Sequence, residues 1–579
     1  MNYLDNYRQW LEDPDATPEL KRELTEMGRD DNLLREAFTM PLSFGTAGMR
    51  GILSLGINRM NVYTVSRATL GLAKFVIGAK MQNRGVLIGY DTRNHSFEFA
   101  STVAKVLEYN GVNAYLYEDV RPVPMISFGV RELNCFAGVM ITASHNPKEY
   151  NGYKVYGEDG AQLSLTASDK LSSIINSIDD YIGIKQSDTV ITTAIRGLNG
   201  VKISDHVTVV GKDLDEKFYS AILPIRVSED AVRKVKDFKI VYTPLHGTGF
   251  VPVTHMFDLM GVEYEVVKEQ TTPDGNFPTV VTPNPENPEA LTLAIRLADE
   301  IGAEVVIGTD PDCDRMGVAI RADGEMKVLS GNQIGVLMEN YVLFRRKQTD
   351  RMPANPVTVK SIVTSSLARK VSESYNVPSV DVLTGFKFFG EKIKEWESTH
   401  EYNYVFGFEE SFGFLAGTHA RDKDAVSASM LFAEMVCYYK SIGKTLYEVL
   451  QEIYAELGYY YDYSTSVMYP GLDGMAKMKR IMDGLRADSP KILGGLPVIY
   501  FSDFESGYKV FSDGSREKLP QAKSNVVYFG FANGDWACAR PSGTEPKLKY
   551  YISVHDNTAE KAEAKGRAVA EELKALLDR

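Results

Sequence analysis

Three aspartates, Asp310, Asp312 and Asp314, stand at alternate positions in the stretch GTDPDCDRMG, with Arg315 next in line. In an extended loop alternate side chains point the same way, so the spacing predicts three carboxylates converging on one hard cation. An EF-hand loop would need glycine at its sixth position and glutamate at its twelfth, where Arg315 and Arg321 stand instead. A few carboxylates without a large bidentate cage suit Mg²⁺, and Arg315 adds a bidentate partner for phosphate. The plainer reading is a solvated acidic loop, disfavoured because packing three carboxylates together costs repulsion unless a cation compensates. Cys313, a poor ligand for Mg²⁺, is expected to point away.

Other loops offer groups for phosphate and for a polyol. ARPSGTEPK supplies Arg540, Ser542, Gly543, Thr544 and Lys547, small residues with free N–H groups beside hydroxyls and cations, which is the make-up of a phosphate cradle. Alone it is weak evidence, since Pro-Ser-Gly turns are common. GFEESFG supplies Glu409, Glu410 and Ser411, suited to sugar hydroxyls. A glycosidase acid and nucleophile would have to sit on opposite sides of a bond, which adjacent residues rarely do. TGFK (384–387) and RDKD (421–424) bring Lys387, Arg421 and Lys423 as further cations for the same ligand, against the commoner reading of solvated surface charge. FGTAGMRG (44–51) places Arg50 in a glycine-rich loop that lacks the GxGxxG spacing of dinucleotide sites and reads as another anion-directed arginine.

The stretch TASHNPKEYNGYK contains Ser144 beside His145. A serine hydrolase needs its histidine brought in by tertiary packing, with an acid behind it, and a histidine next door normally points elsewhere. The GxSxG elbow is absent. With a three-aspartate Mg²⁺ site and several phosphate-directed cations available, Ser144 is expected to accept a phosphoryl group and return it, the metal bridging the seryl phosphate. Lys154 is a candidate for proton transfer, provided cationic neighbours depress its pKa; the competing reading is an exposed lysine on a strand.

These loops must be positioned by a scaffold, and its pattern is legible. Short Val/Ile-rich runs followed by polar loops and helical segments recur, as at 85–96, 136–147, 239–249, 304–315, 404–411 and 536–547. That alternation predicts α/β units with buried strands whose carboxyl ends deliver the polar residues. At 579 residues several domains are expected, placed here at 1–205, 206–325, 326–455 and 456–579. The N-terminus reads as two short helices, the second started by Thr17-Pro18. The segment 424–457 reads as a helical pair whose Gly443-Lys444-Thr445 is a turn and not a P-loop.

Composition narrows the partners. A net charge of −13 disfavours nucleic acid and anionic membranes, and no apolar run is long enough to span a bilayer. Four widely spaced cysteines without CxxC argue against zinc and disulfides. Together with the lack of a secretory h-region these features predict a cytoplasmic protein.

TASHNPKEYNGYK, GTDPDCDR, GFEESFG and RPSGTEPK resemble, in order and spacing, the motifs of the alpha-D-phosphohexomutases, specifically the phosphoglucomutase branch that also contains phosphopentomutases. The resemblance runs from FGTAGMRG to RPSGTEPK. It implies three related α/β domains with mixed sheets plus a smaller C-terminal α+β domain around one central cleft. It implies that Ser144 is the phosphoserine and, with Asp310, Asp312 and Asp314, holds one Mg²⁺. Glu409 and Ser411 then fall in the sugar loop, and Arg540, Ser542, Gly543 and Thr544 in the phosphate loop. Arg50, His145, Lys154 and Arg315 match the catalytic surroundings. The implied activity interconverts alpha-D-glucose 1-phosphate and glucose 6-phosphate through glucose 1,6-bisphosphate, which serves as intermediate and activator, in a monomer or homodimer. Phosphopentomutase or phosphomannomutase activity, or a non-catalytic sugar-phosphate sensor, are the alternatives. Cys313 inside the metal loop and Ala143 before the serine depart from the usual pattern without removing a functional side chain.

Overall fold

The structure, a computed structural model, describes residues 2–45, 48–235, 238–469, 473–542 and 547–578. Two compact units emerge: Met1–Leu329 with Phe389–Thr399 and Gly413–Ser441, and Ser330–Phe388 with His400–Phe412 and Ile442–Arg579.

The first unit begins with helices Tyr3–Leu11 and Pro18–Met27, and the Thr17 side chain caps the second by accepting the N–H of Leu20, as the Thr-Pro signal predicts. A third helix, Asp31–Phe38, goes beyond the expected two. A mixed sheet follows, formed by β1 (Met49–Ile52), β2 (Val86–Tyr90), β3 (Ala114–Tyr117), β4 (Ala137–Ile141), β5 (Tyr150–Gly157) and β6 (Val207–Val210), in the order β1-β5-β4-β2-β3-β6. β4, β2, β3 and β6 run parallel, while β5 returns antiparallel to β4 and β1 antiparallel to β5. β2 and β4 read VLIGY and AGVMI and are buried at every residue, as strands packed on both faces must be.

A second mixed sheet repeats the scheme with β7 (Ile240–Thr243), β8 (Tyr264–Val266), β9 (Val305–Thr309), β10 (Met316–Ala322) and β11 (Glu325–Val328), ordered β11-β10-β9-β7-β8. β7, β8 and β9 are parallel and β10 returns antiparallel to β9. In both sheets the chemistry-bearing loop joins a buried parallel strand to its antiparallel return: Ser144 lies between β4 and β5, the aspartates between β9 and β10.

In the second unit β12 (Pro356–Ser361), β13 (Ser379–Val382) and β14 (Asn403–Glu409) form parallel pairs, with Glu409 ending β14. Helix Gly331–Gln348 starts from a capping box of Ser330 and Gln333. Of the expected helices at 424–457, Ala425–Ser441 belongs to the first unit and Leu446–Leu457 to the second, where Thr445 caps it, so Gly443-Lys444-Thr445 is a turn. C-terminally, an antiparallel sheet runs in the order Tyr459–Met468, Lys547–Asp556, Trp536–Pro541, Val527–Gly530, Tyr500–Asp503, Tyr508–Phe511, Arg516–Lys518. Helices Gly474–Ala487 and Ala559–Leu577 contribute Met478, Met482, Val569 and Leu573 to its core. Among the described residues no helix is long and apolar enough to cross a membrane.

One buried carboxyl in this unit predicts a pH dependence. Glu339 is 2% exposed and accepts a hydrogen bond from Ser372 Oγ at 2.5 Å; burial pushes its pKa up to about 7 despite the hydroxyls of Ser372 and Thr358. Folding therefore favours the protonated form, a contribution complete below the unfolded value near ~4.3 and lost as pH rises through about 7. Glu339→Gln is expected to match the wild type at pH ~4 and to be more stable by about 1–3 kcal/mol at pH ~8. Denaturant titrations at the two pH values check this, and equal stability at both would refute it.

Candidate active site

Asp310, Asp312 and Asp314 are fully buried, and one carboxylate oxygen from each lies within 4.8 Å of the others. They converge as the aspartate spacing suggested, but through a tight turn and not an extended loop. Cys313 takes a left-handed backbone, φ 52°, and its N–H donates to Asp310 O at 2.9 Å. Asp310 Oδ1 accepts the N–H groups of Asp314 (3.1 Å) and Arg315 (3.0 Å), which holds the turn closed around its own carboxylate. Cys313 is buried at Gly249 and Thr309, behind the aspartates, and burial raises its thiol pKa.

Burial, then Asp312 and Asp314, push Asp310 well above the usual carboxylate range. Asp314 is held well below it: burial opposes ionisation, but Lys423, Lys154 and Arg315 outweigh it. Asp312 Oδ1 and Asp314 Oδ1 are buried with no hydrogen-bond partner among the described residues. Orphaned carboxylate oxygens at the centre of a buried acidic cluster are what a cation would satisfy, so the donor set fits a metal site.

Ser144 is brought to this cluster from the first sheet. Its Oγ donates to Asp310 Oδ2 at 2.8 Å, and its N–H donates to Thr142 Oγ1 at 2.8 Å. The backbone at Ser144 is left-handed, φ 52°, a conformation that costs an L-residue roughly 1–2 kcal/mol and here aims the hydroxyl at the aspartates. This bend also overturns the expectation that His145 would point elsewhere. His145 Nδ1 lies 3.1 Å from Ser144 Oγ. Burial, Arg315 and Arg50 hold the imidazole pKa well below its ordinary value, so the ring is neutral. Among the described residues no carboxylate hydrogen-bonds its other nitrogen, so no hydrolase triad is formed.

Lys154 is buried on β5, 2.9 Å from Asp312 Oδ2 and 3.5 Å from Asp314 Oδ2. The exposed-strand reading fails, and so does the expected depression of its pKa. Burial disfavours the ammonium, but Asp312 and Asp314 outweigh both it and the nearby Lys423, and the pKa is raised. Lys423 also reaches the aspartate cluster, its Nζ 3.0 Å from both Asp314 Oδ2 and Asp422 Oδ1. Arg421 does not fit the expected substrate role. Its side chain is 1% exposed, pairs with Glu397 and donates to the carbonyls of Thr418 and Ala420. The segment 421–424 bends and is not extended, so residues two apart need not face the same way: Arg421 and Lys423 serve different surroundings. Arg50, on β1, donates to Asn146 Oδ1 at 2.8 Å, and Arg315 pairs with Glu286. Thr46 and Ala47 of the Arg50 motif lie outside the described residues.

In the second unit Glu409 Oε1 accepts the N–H of Gly385 at 2.6 Å, and Arg540 donates to Thr384 Oγ1, so neighbouring residues of TGFK meet both loops. Glu410 turns to Ser361 and Thr364, whose hydroxyls donate to its Oε2 at 3.1 and 3.2 Å. Ser411 follows directly, and Lys387 Nζ lies 5.1 Å from the Phe388 ring. Ser542 N donates to Lys547 O at 2.8 Å, and the predicted Gly543 and Thr544 lie outside the described residues. Sequence reasoning missed Thr142, which donates to Asp312 Oδ2 at 3.1 Å, and Arg93, which reaches the Ser144 loop. Their signal was position alone: both follow the carboxyl end of a buried strand.

Family models for the phosphoglucomutase/phosphomannomutase alpha/beta/alpha domains I, II and III match residues 41–182, 216–324 and 330–457. A phosphoglucomutase of Staphylococcus epidermidis is 38% identical over 532 residues, 90% of this chain and 92% of that protein. One from Staphylococcus aureus is 37% identical, covering 92% and 93%. Among solved structures, a phosphoglucomutase/phosphomannomutase family protein from Burkholderia thailandensis superposes with TM-score 0.65 at 16% identity, covering 93% of this chain and 98% of that one. The phosphoglucomutase parafusin from Paramecium gives 0.64 at 19%, covering 93% and 95%. An Aspergillus fumigatus N-acetylphosphoglucosamine mutase, solved in complex with GlcNAc-6P and magnesium, gives 0.51 at 13%, covering 97% and 100%. With a buried acidic cluster beside a serine hydroxyl and this similarity along nearly its whole length, the chain belongs to the phosphoglucomutase/phosphomannomutase family, the alpha-D-phosphohexomutases, enzymes of the isomerase and phosphotransferase class.

Proposed function

We propose that the protein interconverts alpha-D-glucose 1-phosphate and D-glucose 6-phosphate, with Ser144 as the phosphoryl carrier and glucose 1,6-bisphosphate as intermediate and activator. The observation that carries this reading is the Ser144 hydroxyl, 2.8 Å from a buried aspartate cluster with two unsatisfied carboxylate oxygens and no triad behind its histidine neighbour. Asp310, Asp312 and Asp314 would hold Mg²⁺, a choice supported by the magnesium in the fungal mutase. When bound, the ion supplies Lewis-acid charge neutralisation at the seryl phosphate.

The residues of the chain do the rest. Lys154 and Lys423 bring positive charge to the aspartates and to a phosphoryl group on Ser144. With its raised pKa Lys154 is an ammonium, able to donate a proton or steady phosphate oxygens, and not a ready base. Neutral His145 offers Ser144 Oγ a hydrogen-bond partner, while Arg50 and Arg315 provide guanidinium donors for phosphate. We assign Glu409, Ser411 and Lys387 to the sugar, and Arg540, Ser542, Gly543 and Thr544 to the non-reacting phosphate. The EES form of the sugar loop resembles that of glucose-acting members of the family, which favours glucose over mannose. The cytoplasm and the four segments 1–205, 206–325, 326–455 and 456–579 remain part of this reading.

A substrate panel tests it. With Mg²⁺ and catalytic bisphosphate, initial rates on glucose 1-phosphate are expected to exceed those on mannose 1-phosphate and ribose 1-phosphate by at least roughly 10-fold, the discrimination of a site built to hydrogen-bond particular hydroxyls. Equal or faster turnover of either competitor would replace glucose as the assigned sugar, and no turnover of any would favour a sensor.

A further inference from the structure

The guanidinium of Arg93 is buried and bonded almost entirely to backbone. Nη1 donates to the carbonyls of Pro147 (2.9 Å) and Tyr150 (3.1 Å), and Nη2 to those of Ser144 and Asn146. Nε lies 3.4 Å from Asp91 Oδ2, and neither side chain is exposed. Asp91 is itself fixed by the Arg93 N–H (2.9 Å) and by Ser96 Oγ (2.7 Å). The Phe277 ring covers the guanidinium, its centroid 5.0 Å from the Arg93 Cζ. One planar fork thus ties together the chain from Ser144 to Tyr150, most of the connection between β4 and β5 and the first residue of β5.

That connection holds Ser144 in its left-handed conformation, and the direction of Oγ depends on it. The loop's own backbone bonds, from Asn146 N–H to Ala143 O and from Tyr150 N–H to Pro147 O at 3.1 Å each, leave the Ser144 carbonyl to Arg93, so the orientation of the hydroxyl depends on the group that gathers these carbonyls. Asp91 sits at the end of a central strand and keeps the fork in register with the sheet.

We propose that Arg93 is a positioning residue for phosphoryl transfer, clamping the carbonyls of the Ser144 loop so that the phosphoryl group is delivered to a sugar hydroxyl and not to water. This rests on the reading of Ser144 as the phosphoryl carrier. In transfer the sugar oxygen bonds to phosphorus, the Oγ–P bond breaks, its electron pair returns to Ser144 Oγ, and the proton lost by the sugar hydroxyl is made up at Oγ, restoring the serine hydroxyl. With a loosened loop water takes the place of the sugar hydroxyl and inorganic phosphate is released.

The test uses full-length wild type, Arg93→Lys, Arg93→Met and Phe277→Leu. Each is normalised to folded protein, and Ser144 phosphorylation is read by intact mass. For Arg93→Met, kcat is expected to fall about 100-fold with KM within about threefold, the loss typical of a misplacement near 1 Å. The ratio of inorganic phosphate released to isomerised product should rise at least about 10-fold, with Arg93→Lys intermediate in both. A purely architectural arginine would lower the melting temperature while leaving kcat per folded molecule and that ratio unchanged, and this result overturns the proposal. If Arg93→Met does not fold, Arg93→Lys and Phe277→Leu decide on the same ratio, and wild-type values in both overturn it. A wild type that turns over with no phosphoryl group on Ser144 at any stage instead overturns the carrier reading, and the proposal with it.

Discussion

Ser144→Ala is expected to lower mutase activity by at least about 10⁴-fold and to leave the protein without the single phosphoryl group that intact mass should find on the wild type. The reason is covalent. Without Oγ, the hydroxyl left at the end of β4 is that of Thr142, committed to Asp312 and to the N–H of residue 144, and His145, neutral and without an acid partner among the described residues, cannot replace it. Stability should barely change. The lost hydrogen bond to Asp310 is offset by relief of a buried hydroxyl, and alanine keeps the same Cβ in the left-handed turn. Sugar phosphate should still bind, since the residues assigned to the sugar and the far phosphate are intact. Full turnover by Ser144→Ala would eliminate the phosphoserine mechanism.

Asp310→Asn is expected to cost at least about 10³-fold in activity and to separate metal binding from folding. In chelator-treated wild type, burial and the Asp312 and Asp314 charges raise the Asp310 pKa, so the folded state favours its protonated form. That contribution is complete below the unfolded value near ~3.9 and is lost as pH rises through the folded value. The neutral asparagine removes this repulsion. Metal-free Asp310→Asn should therefore melt no lower than metal-free wild type near neutral pH. Added Mg²⁺ at ~100-fold excess over its dissociation constant should stabilise wild type by about 2.7 kcal/mol and the variant by little. Differential scanning calorimetry with and without chelator reads both. If chelation leaves the wild-type melting curve unmoved, the cluster is an acidic loop and not a metal site.

Why some of this could be read in advance and some could not depends on where each side chain finds its partners. Asp310, Asp312 and Asp314 announce a cation through spacing alone, because three carboxylates within five residues are costly without one. Strands such as AGVMI and VVIGT announce a sheet buried on both faces, because no charged residue interrupts them. Arg421 and Lys423 are indistinguishable in type and lie two residues apart, yet one is packed against Glu397 and the other against Asp314. Arg93 gave little local signal, since its partners are carbonyls more than 50 residues away and any residue has a carbonyl.

By itself the sequence determined which chemical groups are present, their order, and the strand-and-loop frame that delivers them, because these follow from residue type and periodicity. Only the tertiary structure decided their electrostatic surroundings: that Lys154 meets two carboxylates instead of cations, that Asp310 is pushed up while Asp314 is held down, and that His145 folds back onto Ser144. A pKa and a side-chain direction depend on neighbours brought in from other strands and on a single left-handed residue, and neither is encoded in the spacing of the motif that contains them.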